Sequence, residues 1–425
     1  GSDYGGLMAD QSREFDIIVF GATGFVGELT AEYLAQRAPA ETRIALAGRS
    51  ESKLRETRSR LPESAASWPL IVADADSPAS LDAMVARARV IATTVGPYLK
   101  YGEALVGAAA SGGTDYVDLT GEVPFIRFSI DKYDDVARAT HARIVHACGF
   151  DSIPSDVGVY ALFRKVQEDG EGTLTETTNV VTRIRGGASG GTVDSMRVIS
   201  GLARDPETRK VLLNPQALSS GPGAMPEASR SSEPSDMPIR SAASVDPSLS
   251  GGLGPFFMSS FNTRVVRRTN FMLDGAYGDS FRYGEAMSFG KNRFVARVAA
   301  GAASGALGAF FAGMAFKPTR RVLDRFLPKP GEGPDAKARE RGYFELQAFT
   351  RTTTGKRYRS VTAAQGDPGY KATAMMFGEA ALTLALDRSD LPDRYGVLTP
   401  VSAMGDALVA RLRAAGMTIE ASALD

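Results

Sequence analysis

The sequence predicts an α/β protein in two parts, a doubly wound parallel sheet at the N-terminus and a second, α+β, domain after it. Three observations carry the prediction. A nearly continuous apolar run, Phe15 to Phe20, leads straight into a glycine turn and a helical pattern. Strand-like runs then recur through Ala147 at the spacing of a doubly wound sheet. After Asp156 the candidate strands shorten and alternate, with a period near two in Tyr343 to Thr352, so a separate sheet is expected there. At 425 residues the chain also exceeds what one hydrophobic core usually organises.

The first strand ends in Gly21-Ala22-Thr23-Gly24-Phe25-Val26-Gly27, and Leu29, Thr30, Tyr33 and Leu34 continue at helical spacing. A strand, a tight turn and a helix in this order make the phosphate-binding turn of a Rossmann-type domain. Gly21 permits the turn, Gly24 lets the backbone approach a pyrophosphate, and Gly27 lets the helix lie close to the sheet with its N-terminal amides toward the anion. The spacing is GxxGxxG rather than GxGxxG, so the context carries more weight than the glycines alone.

The next strand, Arg43 to Ala47, runs into Gly48-Arg49-Ser50 where an NAD-binding chain places a carboxylate. A guanidinium matches the oxygens of a 2′-phosphate, so Arg49, supported by Ser50, points to NADP(H); an ion pair with Glu51 or Glu56 is the competing role. Leu70 to Ala73 leads to Asp74, which either meets the adenine amino group or caps the helix beginning near Ser80. Val90 to Val95 reaches Gly96-Pro97-Tyr98, where ligands bind beyond the carboxyl ends of strands, so Thr94, Val95, Gly96 and Tyr98 are expected near the nicotinamide. Tyr116 to Leu119 and Ala142 to Ala147 complete a sheet of roughly six strands.

Lys+Arg and Asp+Glu both total 49, which leaves no excess positive charge for binding a nucleic acid by counterion release. One cysteine, Cys148, cannot form an internal disulfide, and with two histidines no zinc ligand set is available, so a metal is not expected and a reducing cytoplasm fits.

In the second part, Thr178 to Arg185 reads as a strand. Gly186 to Thr192 follows as a glycine-rich turn whose Ser189, Gly190, Gly191 and Thr192 either polarise a substrate oxygen or simply start a helix. Residues 214–255 are dense in Pro, Gly and Ser, and are expected to be a loop over the substrate channel. Residues 298–316 carry no charge, and Leu307, Phe310, Phe311 and Met314 share one helical face. Core or dimer packing, contact with a lipid or acyl chain, and a true membrane span all remain open for this stretch.

The motifs GATGFVG at Gly21, AGRS at Ala47, TTVGPY at Thr93, YVDLTGE at Tyr116 and HACGFDSIPSD at His146 resemble those of the saccharopine dehydrogenase-like proteins. Within that family the likeness is to the mycobacterial trans-acting enoyl reductases. It continues through FNTRVVRRTN at Phe261, FRYGEAMSFG at Phe281, DPGYKATA at Asp367 and GVLTPVSAMGDAL at Gly396, and so spans nearly the whole chain. The resemblance implies a Rossmann domain (14–155), an α+β substrate domain (156–370), and a C-terminal segment (371–425) that returns to the first. Residues 1–13 are set aside as an expression remnant and a flexible lead-in. The activity implied is NADPH-dependent reduction of an enoyl thioester in polyketide-derived lipid synthesis, in trans to a synthase and its carrier protein. Peripheral contact with the inner membrane and a homodimer are compatible with it.

Such chemistry needs a hydride at the β-carbon, support for the enolate oxygen, and a proton at the α-carbon. The YxxxK pair of short-chain dehydrogenases is absent. Tyr98 is the first candidate proton donor by position, with Lys100, Tyr101 and Asp151 behind it; Tyr98 serves equally well as a pocket wall. Cys148, His141 and His146 read as structural. Two other functions stay open, a saccharopine-type amino-acid dehydrogenase using Arg264, Arg267 and Arg268 to hold carboxylates, and a catalytically silent NADP-binding protein associated with lipid.

Overall fold

The computed structural model describes residues 13–425 except 188–189, 224, 228–232 and 330–331. The lead-in, apart from Arg13, and Ser189 of the glycine-rich turn therefore lie outside the described residues.

Seven parallel strands form the first sheet, in the order β13-β6-β5-β4-β1-β2-β3. They are β1 (Phe15–Phe20), β2 (Ile44–Gly48), β3 (Leu70–Val72), β4 (Ala88–Thr93), β5 (Asp115–Val117), β6 (Arg143–Val145) and β13 (Gly396–Leu398). Every residue of β1, β2, β5, β6 and β13 is buried, which explains their mainly apolar character: helices cover both faces, and the charged residues among them, Asp16, Asp115 and Arg143, are bonded to Arg43, Arg388 and Pro392 O respectively. The strand order reverses between β1 and β4, where a crevice opens beyond their carboxyl ends. The seventh strand arrives from far down the chain and had no pattern of its own to announce it. Three residues, GVL, are too short for a period to be read.

The second sheet is mixed, in the order β14-β12-β11-β7-β10-β9-β8. Its strands are β7 (Leu174–Arg185), β8 (Arg240–Ser241), β9 (Gly252–Gly254), β10 (Arg282–Ser288), β11 (Tyr343–Thr352), β12 (Arg357–Gln365) and β14 (Thr418–Leu424). Only the β7–β10 pair runs parallel. The helix Ile153–Asp169 packs on β11, β12 and β14 and joins this sheet to the first.

Two expected boundaries change. The C-terminal segment does return to the first sheet, through the helix Lys371–Leu386 against β1, β4 and β5 and through β13 at the edge. It does not end there, because β14 pairs antiparallel with β12 of the second sheet. The stretch 214–255 is likewise not structureless: β8 and β9 pair with each other, and β9 with β10. Glycines make that edge possible, since a Cβ on Gly252 or Gly254 would stand 2.8 or 2.7 Å from Ala296 or Ala300 of the helix Arg293–Ala315. A strand written in Gly and Leu has no β-propensity signal, which is why it reads as loop.

Candidate functional site

A cavity of about 870 Å³ begins at the crevice between β1 and β4 and continues between helices of the second part. One end is lined by the glycine turn. Gly21 has φ +87°, and Gly27 lies so close to it that an added Cβ would meet Gly21 O at 2.0 Å. Both positions therefore require glycine. Gly24 is the N-cap of the helix Phe25–Arg37 and supplies no side-chain cap, which leaves the first-turn amides without a side-chain acceptor. An anion at this position would complete them.

Thr23, Gly24, Phe25, Val26, Arg49, Asp74, Thr94, Val95, Gly96 and Tyr98 line the same end, as expected. Arg49 is exposed, and Glu51, its anticipated partner, is bonded to Arg55 at 2.7 Å. Asp74 does not cap the helix Pro78–Val85, a role taken by Ser77, but closes its own turn by accepting from Asp76 N at 2.9 Å. Ser50 departs from expectation. It caps the helix Glu51–Arg60 by accepting from Lys53 N and does not line the cavity, because its hydroxyl is used where the chain turns into that helix.

The phenol of Tyr98 is buried, donates to Thr93 O at 3.3 Å and accepts from Leu119 N at 3.1 Å. Burial, with the nearby Asp118 carboxylate, pushes its pKa well above the ordinary phenol value. Its backbone N–H and that of Leu99 donate to the two oxygens of Glu122, at 2.8 and 3.1 Å. Tyr98 is thereby fixed as a wall whose proton is already in use. Tyr101 lines the cavity, and Lys100, which does not, lies over the Tyr101 ring.

Asp151 differs. Its carboxyl lines the cavity, has no hydrogen-bonding or charged partner among the described residues, and is raised by burial alone to a pKa of about 7. A Cβ built on Gly121 would stand 3.4 Å from Asp151 Oδ2 and 3.9 Å from Met258 Cε, so the acid sits where the polar end meets the apolar one.

That apolar end is formed by Met196, Ile199, Leu212, Leu213, Phe257, Met258, Phe261 and Phe311, from four helices and the turn before one of them. Sequence reading missed most of these residues, because nothing local marks residues that meet only through the fold. Of the glycine-rich turn, Gly190 and Thr192 line the cavity, and Gly191 lies in the helix Gly190–Leu202. The Gly190 amide donates to the Tyr370 hydroxyl at 3.0 Å, and that hydroxyl donates to Glu332 O, so this amide is not offered to a substrate.

Two expectations about the second part are corrected. Arg264 is bonded to Asp236 and Leu212 O, and Arg267 to Glu233, Pro215 O and Tyr283 O. Arg268 reaches the carbonyls of Leu218, Ser220 and Val397, and burial lowers its pKa to about 10. None of the three lines the cavity. They do not hold substrate carboxylates; they tie Leu212, Pro215, Leu218, Ser220, Glu233 and Asp236 to the helix Ser259–Met272. The described residues of 214–255, expected as a loop over the substrate channel, do not cover it, for none of them lines the cavity. Of the apolar stripe, Met314 is buried, Leu307 and Phe310 are half-buried, and Phe311, which lines the cavity, is exposed, so the helix Arg293–Ala315 is packed at its end and partly open before it.

His146 bridges Asp118 Oδ2 and Ser129 Oγ at 2.7 and 2.9 Å, deep in the first domain, while His141 stacks on Tyr395. Cys148 is buried and free. Among the described residues no cluster of His, Cys, Asp and Glu could hold a metal.

Comparison with known proteins gives concordant findings. Residues 17–145 match the family model for the saccharopine dehydrogenase NADP binding domain. A Mycobacterium tuberculosis protein provisionally named a trans-acting enoyl reductase is 51% identical over 98% of this chain and 100% of its own length. A trans-acting enoyl reductase of Mycobacterium ulcerans is 47% identical over 98% and 100%. Apo saccharopine dehydrogenase (L-Glu forming) from Saccharomyces cerevisiae shares the fold, with a TM-score of 0.53 at 14% identity, over 96% of this chain and 99% of that one.

Proposed function

Because the chain belongs to the trans-acting enoyl reductase family, on a saccharopine dehydrogenase-like fold with an NADP(H)-binding domain, we propose that it reduces an enoyl thioester bound in the apolar end of the cavity. The observation that carries this reading is the position of Asp151, an unpartnered carboxyl between the glycine turn and the apolar residues.

The residues fit the cofactor. The first-turn amides of the helix Phe25–Arg37 would take the pyrophosphate, Arg49 the 2′-phosphate, Asp74 the adenosine side, and Thr94, Val95, Gly96 and Tyr98 the nicotinamide side. When bound, NADPH supplies the hydride for the β-carbon. Asp151 donates its proton to the α-carbon, and the burial that raises its pKa to about 7 keeps a large share of the protonated acid available at neutral pH. Thr192, on the first turn of the helix Gly190–Leu202, faces the thioester oxygen at the positive end of that helix. Tyr98 and Glu122 hold the wall of the site. The substrate class is a lipid or carrier-bound intermediate of polyketide-derived lipid synthesis, handled in the cytoplasm beside a partner synthase.

The test follows NADPH absorbance with an enoyl thioester and then with saccharopine. Oxidation with the thioester alone is expected. Turnover of saccharopine, or of neither compound, would overturn the reading, the second outcome in favour of a silent NADP-binding protein.

A further inference from the structure

One surface of the molecule takes no part in the chemistry above. The helix Arg293–Ala315 has the length and composition of a membrane span, yet its first half packs on β9 through Ala296 and Ala300, and its end is held by buried Met314. A span would undo that packing. Away from the protein, Phe294, Val298, Gly301, Gly305, Ala309 and Ala312 recur every three or four residues and all are exposed. They form one uncharged ridge about 27 Å long at 1.5 Å per residue. Beyond the helix, Phe316, Val322 and Phe326 add bulky apolar groups that are 59%, 54% and 81% exposed. Soluble surfaces rarely leave a continuous apolar strip of this extent bare.

Charge distinguishes what would cover it. The chain as a whole is neutral, but this segment is not. Lys291, Arg293 and Arg297 stand at one end, and Lys317, Arg320, Arg321, Arg325 and Lys329 at the other. The one acid between residues 291 and 329 is Asp324, which is bonded to Arg197 at 2.7 Å. A second copy of the chain would bring the same cations face to face. An anionic bilayer complements both the ridge and its basic ends.

The surface is also continuous with the cavity. Phe311 and Ala315 line the apolar end from this helix, and Leu213, which lines it too, is 70% exposed, so the cavity opens beside the ridge.

We propose that the helix Arg293–Ala315 and the segment after it dock on an anionic lipid bilayer, the helix lying in the interface with the apolar mouth of the cavity against the membrane. An acyl chain then passes from lipid to active site without crossing water. The docking stands on the surface alone; the acyl chain as its cargo rests on the enoyl reductase reading.

The full chain is sedimented with vesicles of phosphatidylcholine alone and of phosphatidylcholine mixed with phosphatidylglycerol, beside two paired variants, Phe294→Ser with Val298→Ser and Lys317→Gln with Arg321→Gln. These side chains are exposed, so folding is preserved, and a thermal melt verifies it. Binding is expected only to the anionic vesicles, weakened about fivefold for each charge removed and at least about tenfold by the apolar pair. Absence of binding to anionic vesicles by the wild type overturns the proposal. So does a wild-type dimer in light scattering that the apolar pair converts to monomer while vesicle binding persists, which would assign the ridge to a second copy. NADPH oxidation with a short, soluble enoyl thioester should be unchanged in both variants. Its absence in the wild type would instead remove the enoyl reductase reading and leave the docking result standing.

Discussion

The two ends of the cavity are built on opposite principles. The nucleotide end is made of contiguous backbone: a turn, the start of a helix and the ends of adjacent parallel strands, with glycines where atoms would otherwise overlap. The apolar end is an assembly of side chains from helices distant in sequence, packed by shape alone. A backbone site has one solution and tolerates little change, whereas a side-chain site can be resized residue by residue. Asp151 stands at the seam, and comparison with Asp156 clarifies its role. Burial raises both carboxyls to about 7, but Asp156 accepts from Thr269 Oγ1 and Val401 N at 2.6 and 2.9 Å, and Asp151 from no described residue. The first is a structural acid with its acceptors filled. The second is left for a substrate.

Substitution of the seam residue should have the largest effect. Asp151→Asn is expected to lower kcat by about 10²- to 10⁴-fold with NADPH affinity unchanged, the range for loss of a positioned general acid. In the wild type, kcat should fall as pH rises through about 7, since the protonated form is the donor. The sign for stability runs the same way. A carboxyl whose pKa rises from 3.8 to about 7 on folding keeps its proton longer in the folded chain, so its contribution is lost as pH climbs across that interval. Removing the ionisable group should therefore stabilise the protein at pH 8, by about 2 to 4 kcal/mol. A variant that is both inactive and harder to melt would mark Asp151 as catalytic. One that loses stability would mark it as structural and break the contrast with Asp156.

The nucleotide end is sharpened next. Arg49→Ala should weaken NADPH binding about 10- to 100-fold, the worth of charge-assisted bonds to a phosphate, and leave NADH binding unchanged. Calorimetry with both nucleotides decides it, and equal losses would assign Arg49 to the surface.

How much of this was legible in the sequence follows the same division. The strand Phe15–Phe20, its glycine turn and Arg49 could be read because backbone sites are local, and their residues sit in one short window. Ser50 was misread by one physical step, for a serine after a strand caps the next helix as readily as it meets a phosphate. The arginines at 264, 267 and 268 have the i, i+3, i+4 spacing of a single face, and a sequence cannot say whether that face meets a ligand or the carbonyls of a distant loop. The uncharged helix was visible, but its orientation was not. Small Ala296 and Ala300 let the helix lie close to β9 while Phe294 and Val298 face outward, so the bulky stripe does not mark the packed face at that end.

The apolar end should respond to size rather than to charge. Ile199→Trp, which fills part of it, is expected to raise KM about tenfold for a long acyl substrate through the loss of buried methylenes. The same variant should leave KM for a short one within twofold or so. Equal effects on both chain lengths would mean that the acyl group lies elsewhere.

The smallest effect is expected at the residue that position in the sequence favoured most. Tyr98→Phe deletes a hydroxyl that donates to Thr93 O and accepts from Leu119 N, and leaves the ring against Phe125 in place. Two buried partners lose a bond each, which costs about 1 to 3 kcal/mol of stability. Catalysis should fall by less than about fivefold, because the phenolic proton is held by a carbonyl and burial keeps it from leaving. A fall comparable with that of Asp151→Asn, together with loss of the pH dependence near 7, would transfer the donor's role to Tyr98. The seam would then lie on the nucleotide side of the cavity, and the backbone end would supply the acid as well as the cofactor.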